Sequence, residues 1–346
     1  MIYAGIIGAT GYAGNELVRI LSNHPEVKIR WYGSRSYIDK KYYEVFGNMF
    51  QIVEDICKDD NLAELVEKVD VIFTATPQGF LASVLDKEML SKVKIIDLSA
   101  DYRIEDVSIY EEWYGIEHKS PELIKEAVYG LCEVNREKIK ETQLVANPGC
   151  YTTCSILTVA PLLAEKMIEP QSIIIDAKSG VSGAGRGTKM QNLFCEVNEN
   201  MKAYSVLTHR HTPEIEEQLS NAAGESIKII FTPHLVPMNR GVLVTAYANL
   251  KAEVSYETVK QAYDKYYGDE KFVRVLDQDI CPETKWVEGS NYVDVNFKID
   301  TRTNRIIMMG ALDNVVKGAA GQAVQNMNLM FGFEESMGLT MVPMFP

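Results

Sequence analysis

Apolar residues fall in short runs separated by amphipathic stretches, and the rhythm changes halfway along the chain. Residues 2–7 form an apolar, strand-like run. A glycine-bearing turn follows, then a helical pattern whose apolar positions Leu17, Val18, Ile20 and Leu21 share one face. Further strands are predicted at 27–33, 69–74 and 93–98, and Leu144-Val145-Ala146 reads as another. Strands alternating with helices predict a parallel sheet over this first half. Beyond it, a helix is expected over 151–166, strands at 172–178, 226–232, 241–249, 291–299 and 305–311, and helices at 213–222 and 255–267. The alternation is lost there, which predicts a mixed or antiparallel sheet with helices on one face. A last helix from about Val315 to Phe331, rich in Ala and Gly on one side, is expected to pack back on the first half.

The first turn carries the earliest chemical signal. Gly8-Ala9-Thr10-Gly11-Tyr12-Ala13-Gly14 lies between a strand and a helix, the context a dinucleotide fingerprint requires. Gly8 permits the tight turn, Gly11 lets a pyrophosphate approach the backbone, and Gly14 allows close helix–strand packing. The second strand ends without the acidic residue that would bind a ribose 2′-hydroxyl, and Ser34-Arg35-Ser36 follows instead. A guanidinium between two hydroxyls suits a 2′-phosphate, so NADP is expected over NAD. Thr76 and Pro77 follow the strand at 69–74, at the sheet edge where open α/β folds bind ligands. Asp97, Asp101 and Arg103 cluster after the next strand, with Arg103 a candidate anion ligand and the two acids suited to turn and cap bonds. The expected fold class is α/β: a Rossmann-type dinucleotide-binding domain over 1–149, rejoined by 315–346, and an α+β substrate domain with a mixed sheet over 150–314.

Composition narrows the class. The 346 residues are 46% hydrophobic and 24% charged, an ordinary globular balance with room for two domains. The net charge of −13 argues against nucleic acid and anionic membranes as partners. No apolar run approaches the ~20 residues of a membrane span. The N-terminus reads as a strand and not a signal peptide, so a cytoplasmic location is expected. The six cysteines, at 57, 132, 150, 154, 195 and 281, contain no CxxC pair and have no nearby His, which speaks against a disulfide scaffold and a metal site alike.

Cys150 is the exception among them. Asn147-Pro148-Gly149 makes a sharp turn between the strand at 144–146 and the helix that follows. A thiol at a helix N-terminus is favoured as thiolate, its reactive form, and the same amides can hold an oxyanion. Three later segments could supply its partners. Lys178-Ser179-Gly180-Val181-Ser182-Gly183-Ala184-Gly185-Arg186 is a glycine-rich loop with two cations at a strand end, suited to an anionic substrate. In His209-Arg210-His211-Thr212-Pro213-Glu214, Thr212 and Pro213 start a helix, and either His209 or His211 could exchange protons with the thiol. Pro233-His234-Leu235-Val236-Pro237-Met238-Asn239-Arg240 offers Arg240 as a further anion ligand.

Taken together, these motifs resemble the N-acetyl-γ-glutamyl-phosphate reductase family of the aspartate-semialdehyde dehydrogenase superfamily, and the match runs essentially end to end. The resemblance implies NADPH as cofactor and an acyl phosphate as substrate. It implies Cys150 as nucleophile, with a thioester intermediate, and His209 or His211 as acid–base; His211 is slightly favoured because it directly precedes the helix start. It implies Arg103, Ser179, Arg186, Arg210 and Arg240 as substrate ligands. Gly8, Thr10, Gly11, Tyr12, Ala13, Gly14, Ser34, Arg35, Ser36, Thr76, Pro77, Ser182, Gly183 and Asn314 would contact the cofactor, Asn314 opening a C-terminal helix near the nicotinamide. A homodimer or homotetramer is implied through the second domain. Two other readings compete: a sister semialdehyde dehydrogenase, and an NADP-binding regulator with no reactive thiol.

Overall fold

The computed structural model describes residues 1–346. Its helices of eight residues or more are α1 (Tyr12–Leu21), α2 (Val107–Tyr114), α3 (Cys132–Glu141), α4 (Cys150–Ala164), α5 (Thr212–Ala223), α6 (Tyr256–Tyr267) and α7 (Gly321–Met330). The chain divides into two compact units, one of residues 1–148 and 319–340, the other of 149–318 and 341–346.

The first unit is built on β1 (Ile2–Ile7), β2 (Val27–Gly33), β3 (Cys57–Lys58), β4 (Val71–Thr74), β5 (Lys94–Asp97), β6 (Ala127–Tyr129) and β7 (Leu144–Ala146). They form one sheet in the order β3-β2-β1-β4-β5-β7-β6, with every pairing parallel. The order reverses between β1 and β4, which creates a switch point at their C-terminal ends, where Ile7 pairs with Thr74. Strand β4 is buried throughout, as its unbroken apolar run requires of a sheet covered on both faces. β3 and β6, two and three residues long, are absent from the pattern-based expectation; β6 is only half-buried, whereas β7, equally short, is buried throughout and carries a wholly apolar run.

The last helix differs from its expected form. It opens as a π-helical turn, Val316–Ala320, and becomes α-helical only at Gly321. The cause is local: Asp313 Oδ1 accepts from the amides of Val315 and Val316, and Gly318 N–H reaches back to Asp313 O at 2.9 Å, an i to i−5 bond. Every residue of α7 is buried, its polar ones included. The Gln322 and Asn326 amides both donate to Gly130 O at 2.8 Å, which satisfies groups that burial would otherwise penalise. The returning segment of the first unit is 319–340, and residues 341–346 cluster with the second unit, where Met344 N–H donates to Glu288 O.

The second unit carries β8 (Ile174–Ser179), β9 (Lys202–Ala203), β10 (Ile230–Leu235), β11 (Val242–Asn249), β12 (Val273–Val275), β13 (Val293–Asp300) and β14 (Arg305–Leu312). Their order is β12-β13-β14-β11-β8-β10-β9. Two pairings, β8 with β10 and β12 with β13, are parallel and the rest antiparallel. Along β11, Val242, Val244, Ala246 and Ala248 are buried while the residues between them are half-buried. α4 packs hard on the sheet: a Cβ on Gly310 of β14 would lie 2.1 Å from Thr158 Oγ1. The strand expected at 226–232 begins only at Ile230. Residues before it are drawn to α5 instead, with Ile227 N–H donating to Ser220 Oγ and Ile229 N–H to Glu216 Oε1.

Candidate active site

In the first unit the glycine turn is shaped by backbone contact. Gly8 has φ +80°, and a Cβ there would lie 2.3 Å from Ala75 O. A Cβ on Gly14 would lie 2.2 Å from Gly8 O and 2.7 Å from Ala9 Cα. Gly11 is different, because its added Cβ would meet only Gly8 O, at an ordinary 3.5 Å. Nothing inside the chain demands glycine at Gly11; close approach by a ligand would. α1 starts directly after Gly11 with no side-chain cap and no acid in its first turn, so Tyr12, Ala13 and Gly14 open an uncapped, positively polarised helix end. Thr76 Oγ1, after β4, is buried without a hydrogen-bond partner. A cradle that a Cβ would fill, an uncapped helix start and an orphaned hydroxyl together fit a dinucleotide at the switch point.

The other expected ligands of this unit differ in burial. Ser34 is buried and its Oγ pairs with Thr10 Oγ1 at 2.8 Å, while Arg35, Ser36 and Pro77 are exposed. Arg103 is nearly buried, with Nη2 donating to Leu98 O at 2.7 Å. Asp97 accepts from Thr74 Oγ1, Ser99 N–H and Ser99 Oγ, and burial, then the charge of Asp101, pushes it up to about 6. Asp101 accepts from the Gly79 and Ala82 amides and from Tyr110 Oη, the turn and cap bonding its position suggests.

In the second unit Cys150 is the first residue of α4, with Gly149 as N-cap, and its side chain is partly exposed. Beneath it lies a residue that the pattern did not single out as chemical. Glu214, fully buried in the first turn of α5, accepts from Gly149 N–H at 3.1 Å and from Thr152 Oγ1 at 2.9 Å. This carboxylate clamps the two residues that flank Cys150 and Tyr151, and its charge suits a helix start. Gly318 was missed as well. A Cβ there would lie 2.7 Å from Cys150 Cβ and 3.1 Å from its Cα, so only glycine lets the π turn close on the thiol. No local signal marks either contact; both partners are remote in sequence.

The two histidines separate. His209 Nδ1 accepts from His211 N–H at 3.1 Å, and its Nε2 lies 3.4 Å from Tyr204 Oη. Its ring is packed among Tyr151, Tyr204 and Phe231, and burial, followed by His211 and Arg210, lowers its pKa to about 2. Burial thus holds the ring toward its neutral form, with Nδ1 engaged by the His211 amide. His211 is the residue before α5, half-buried, one helical turn from Glu214, with its ring 6.0 Å from that of Tyr151.

The remaining ligand candidates gather where β8 ends. Ser179 is buried there, with Oγ donating to Gly180 O. Ser182 Oγ donates to Asn239 O and accepts from Asn314 Nδ2 at 2.9 Å, and Asn314 Oδ1 accepts from Gly241 N–H. A Cβ on neighbouring Gly183 would lie 3.2 Å from Ser179 Oγ. Arg240 is tied to the fully buried Asp313 at 3.3 Å. Arg186 and Arg210 are exposed.

Comparison with known proteins agrees with this arrangement. Residues 3–142 match the semialdehyde dehydrogenase NAD binding domain, and residues 150–314 the semialdehyde dehydrogenase dimerisation domain. Among solved structures, aspartate semialdehyde dehydrogenase II of Vibrio cholerae aligns with TM-score 0.71 at 18% identity, covering 96% of this chain and 98% of that one. The Candida albicans aspartate semialdehyde dehydrogenase, solved with NADP, aligns with TM-score 0.67 at 17% identity, over 96% and 99% of the two chains. These likenesses establish the fold. Sequence relatives are nearer: N-acetyl-gamma-glutamyl-phosphate reductases of Lachnoclostridium phytofermentans, 72% identical over 100% of both chains, and of Campylobacter jejuni, 56% identical over 98% of both. With identity at that level along its full length, the chain belongs to the N-acetyl-γ-glutamyl-phosphate reductase family.

Proposed function

We propose that this chain reduces N-acetyl-L-glutamyl 5-phosphate to N-acetyl-L-glutamate 5-semialdehyde and phosphate, with NADPH, in arginine biosynthesis. The observation that carries the chemistry is Cys150 as the first residue of α4, with Gly149 and Thr152 bound by the buried Glu214. The Cys150 thiolate attacks the acyl-phosphate carbonyl, and the first-turn amides of α4 hold the oxyanion that forms. The C–O bond to phosphate then breaks and leaves a thioester, which accepts hydride more readily than a carboxylate. NADPH, when bound along Gly8, Thr10 and Gly11–Gly14 with Ser182, Gly183 and Asn314 toward its nicotinamide, supplies that hydride. His211 exchanges protons with the sulfur and with the substrate oxygen, and Cys150 is released as the aldehyde carbonyl forms. Arg103, Ser179, Arg186, Arg210 and Arg240 share the phosphate and the α-carboxylate, with Arg103 oriented by its bond to Leu98 O.

The half-exposed face of the mixed sheet, with Leu243, Tyr247, Ile307 and Met309, supports assembly as a homodimer or homotetramer. No helix is long and apolar enough to cross a membrane. The six cysteines form no disulfide, which supports work in the cytoplasm.

The test runs the reaction backwards, following phosphate-dependent NADPH formation from the semialdehyde, with the β-aspartyl analogue as control. Cys150→Ser is expected to abolish turnover and leave NADPH binding within a few-fold. More than a few per cent of residual activity would sink the nucleophile assignment.

A further inference from the structure

β2 ends at Gly33, where dinucleotide-binding folds commonly carry an acid for the ribose. The space is filled from the neighbouring strand. Asp60, just past β3, brings its carboxylate so close that a Cβ on Gly33 would lie 2.9 Å from Oδ1. The side chain is 7% exposed, and Oδ1 is buried without a hydrogen-bond partner. Burial raises its pKa, opposed by the Arg35 charge and the Gly8 amide. An acid so enclosed cannot reach a ribose hydroxyl. Its other oxygen, Oδ2, takes Arg35 Nε at 3.1 Å.

That contact fixes the guanidinium. With Nε held by Asp60, and the Phe80 ring 5.2 Å from Cζ, the plane of Arg35 is set from two sides. The ion pair runs through Nε, and the side chain is 60% exposed, which leaves the terminal edge of the guanidinium open to solvent. A guanidinium presented by its terminal edge is the fork that grips a phosphate through two parallel hydrogen bonds.

We infer that Asp60 is a positioning residue for cofactor choice: it locks Arg35 for the 2′-phosphate and thereby sets the preference for NADP over NAD. This rests on the NADPH reading above. Asp60 acts through Arg35, by holding the guanidinium in place.

Calorimetric titration of the full chain with adenosine 2′,5′-bisphosphate and with AMP tests the inference without turnover. Wild type is expected to favour the bisphosphate, and Arg35→Ala to abolish that preference. Asp60→Asn, nearly isosteric, is expected to weaken the bisphosphate roughly tenfold, the size of one lost charge-assisted hydrogen bond, and to leave AMP within twofold. Added to Arg35→Ala, it should cause no further loss. Equal weakening of both ligands by Asp60→Asn, no change, or tighter bisphosphate binding overturns the inference while the NADP reading stands. Absence of any preference in wild type, or its survival in Arg35→Ala, refutes the underlying reading instead. Should Asp60→Asn not fold, Arg35→Lys decides. A lysine keeps the charge but lacks the planar fork that Asp60 holds by one edge and offers by the other, so preference should fall at least tenfold; retention of more than half overturns the inference.

Discussion

Substituting Gly318 by alanine adds one methyl group directly against Cys150, the proposed nucleophile. The new Cβ would lie 2.7 Å from Cys150 Cβ, 3.1 Å from Cys150 Cα and 3.3 Å from Asp313 O. Carbon atoms in contact settle at about 3.5–4.0 Å, so the clash demands a movement of roughly 1 Å. Cys150 Cβ is one bond from the main chain and cannot turn aside as a long side chain could; the shift must pass into the start of α4 or into the π turn. Helix propensity runs the other way, since Ala is favoured over Gly by about 1 kcal/mol in a helix. Overpacking of this kind destabilises by about 1–3 kcal/mol, which a thermal melt would record as a modest loss. A 1 Å misplacement of a reacting group lowers turnover by about 10²-fold, so Gly318→Ala is expected to lose about that factor in kcat while the protein stays folded. The rate of Cys150 alkylation by iodoacetamide should change with it, whereas NADPH binding should not. Activity within threefold of wild type in a well-folded variant would refute the claim that Gly318 positions the thiol.

Other substitutions separate packing from chemistry. Gly14→Ala should destabilise the chain by about 3 kcal/mol or prevent folding, because its Cβ meets backbone atoms, whereas Gly11→Ala should melt like wild type and bind NADPH more weakly. Glu214→Ala strands the Gly149 amide, while the Thr152 hydroxyl keeps Gly149 O, and should reduce stability by about 2 kcal/mol together with activity; Glu214→Gln, still an acceptor, should recover most of the stability and less of the rate. Stability should vary with pH in two opposed ways. His209, ordinarily near 6.5 and lowered to about 2, contributes stability that is full above pH 6.5 and is lost as pH falls toward 2. Asp97, raised from 3.8 to about 6, contributes stability that is full below pH 3.8 and is lost as pH rises through 6. Between pH 4 and 6 the two slopes cancel in part, so His209→Gln should make thermal stability rise on acidification there, and Asp97→Asn should make it fall more steeply; identical profiles for both variants would contradict the assignment.

Much of this protein is written in short windows of the chain. The order of strand, Gly8 turn and helix, and the Pro148-Gly149 turn that places Cys150 at the start of α4, are local: each depends on which φ angles, hydrogen bonds and apolar faces a dozen neighbouring residues permit. The long strands of both sheets and the fully buried β7 could be read the same way, while β3 and the half-buried β6 could not. Where the reading was shifted, as at 226–232, a side chain on α5 competed for the backbone amides that a strand would have used. The different settings of His209 and His211 also escaped the pattern, since both stand in one short segment and only the tertiary structure packs His209 among Tyr151, Tyr204 and Phe231. Three contacts were decided by tertiary structure alone: Glu214 under Gly149, Gly318 against Cys150, and Asp60 beside Gly33. The residue types that do chemistry can thus be recognised from the chain. The groups that hold them in place act across long separations in sequence, and only the folded packing of helix starts, turns and strand ends brings them within reach.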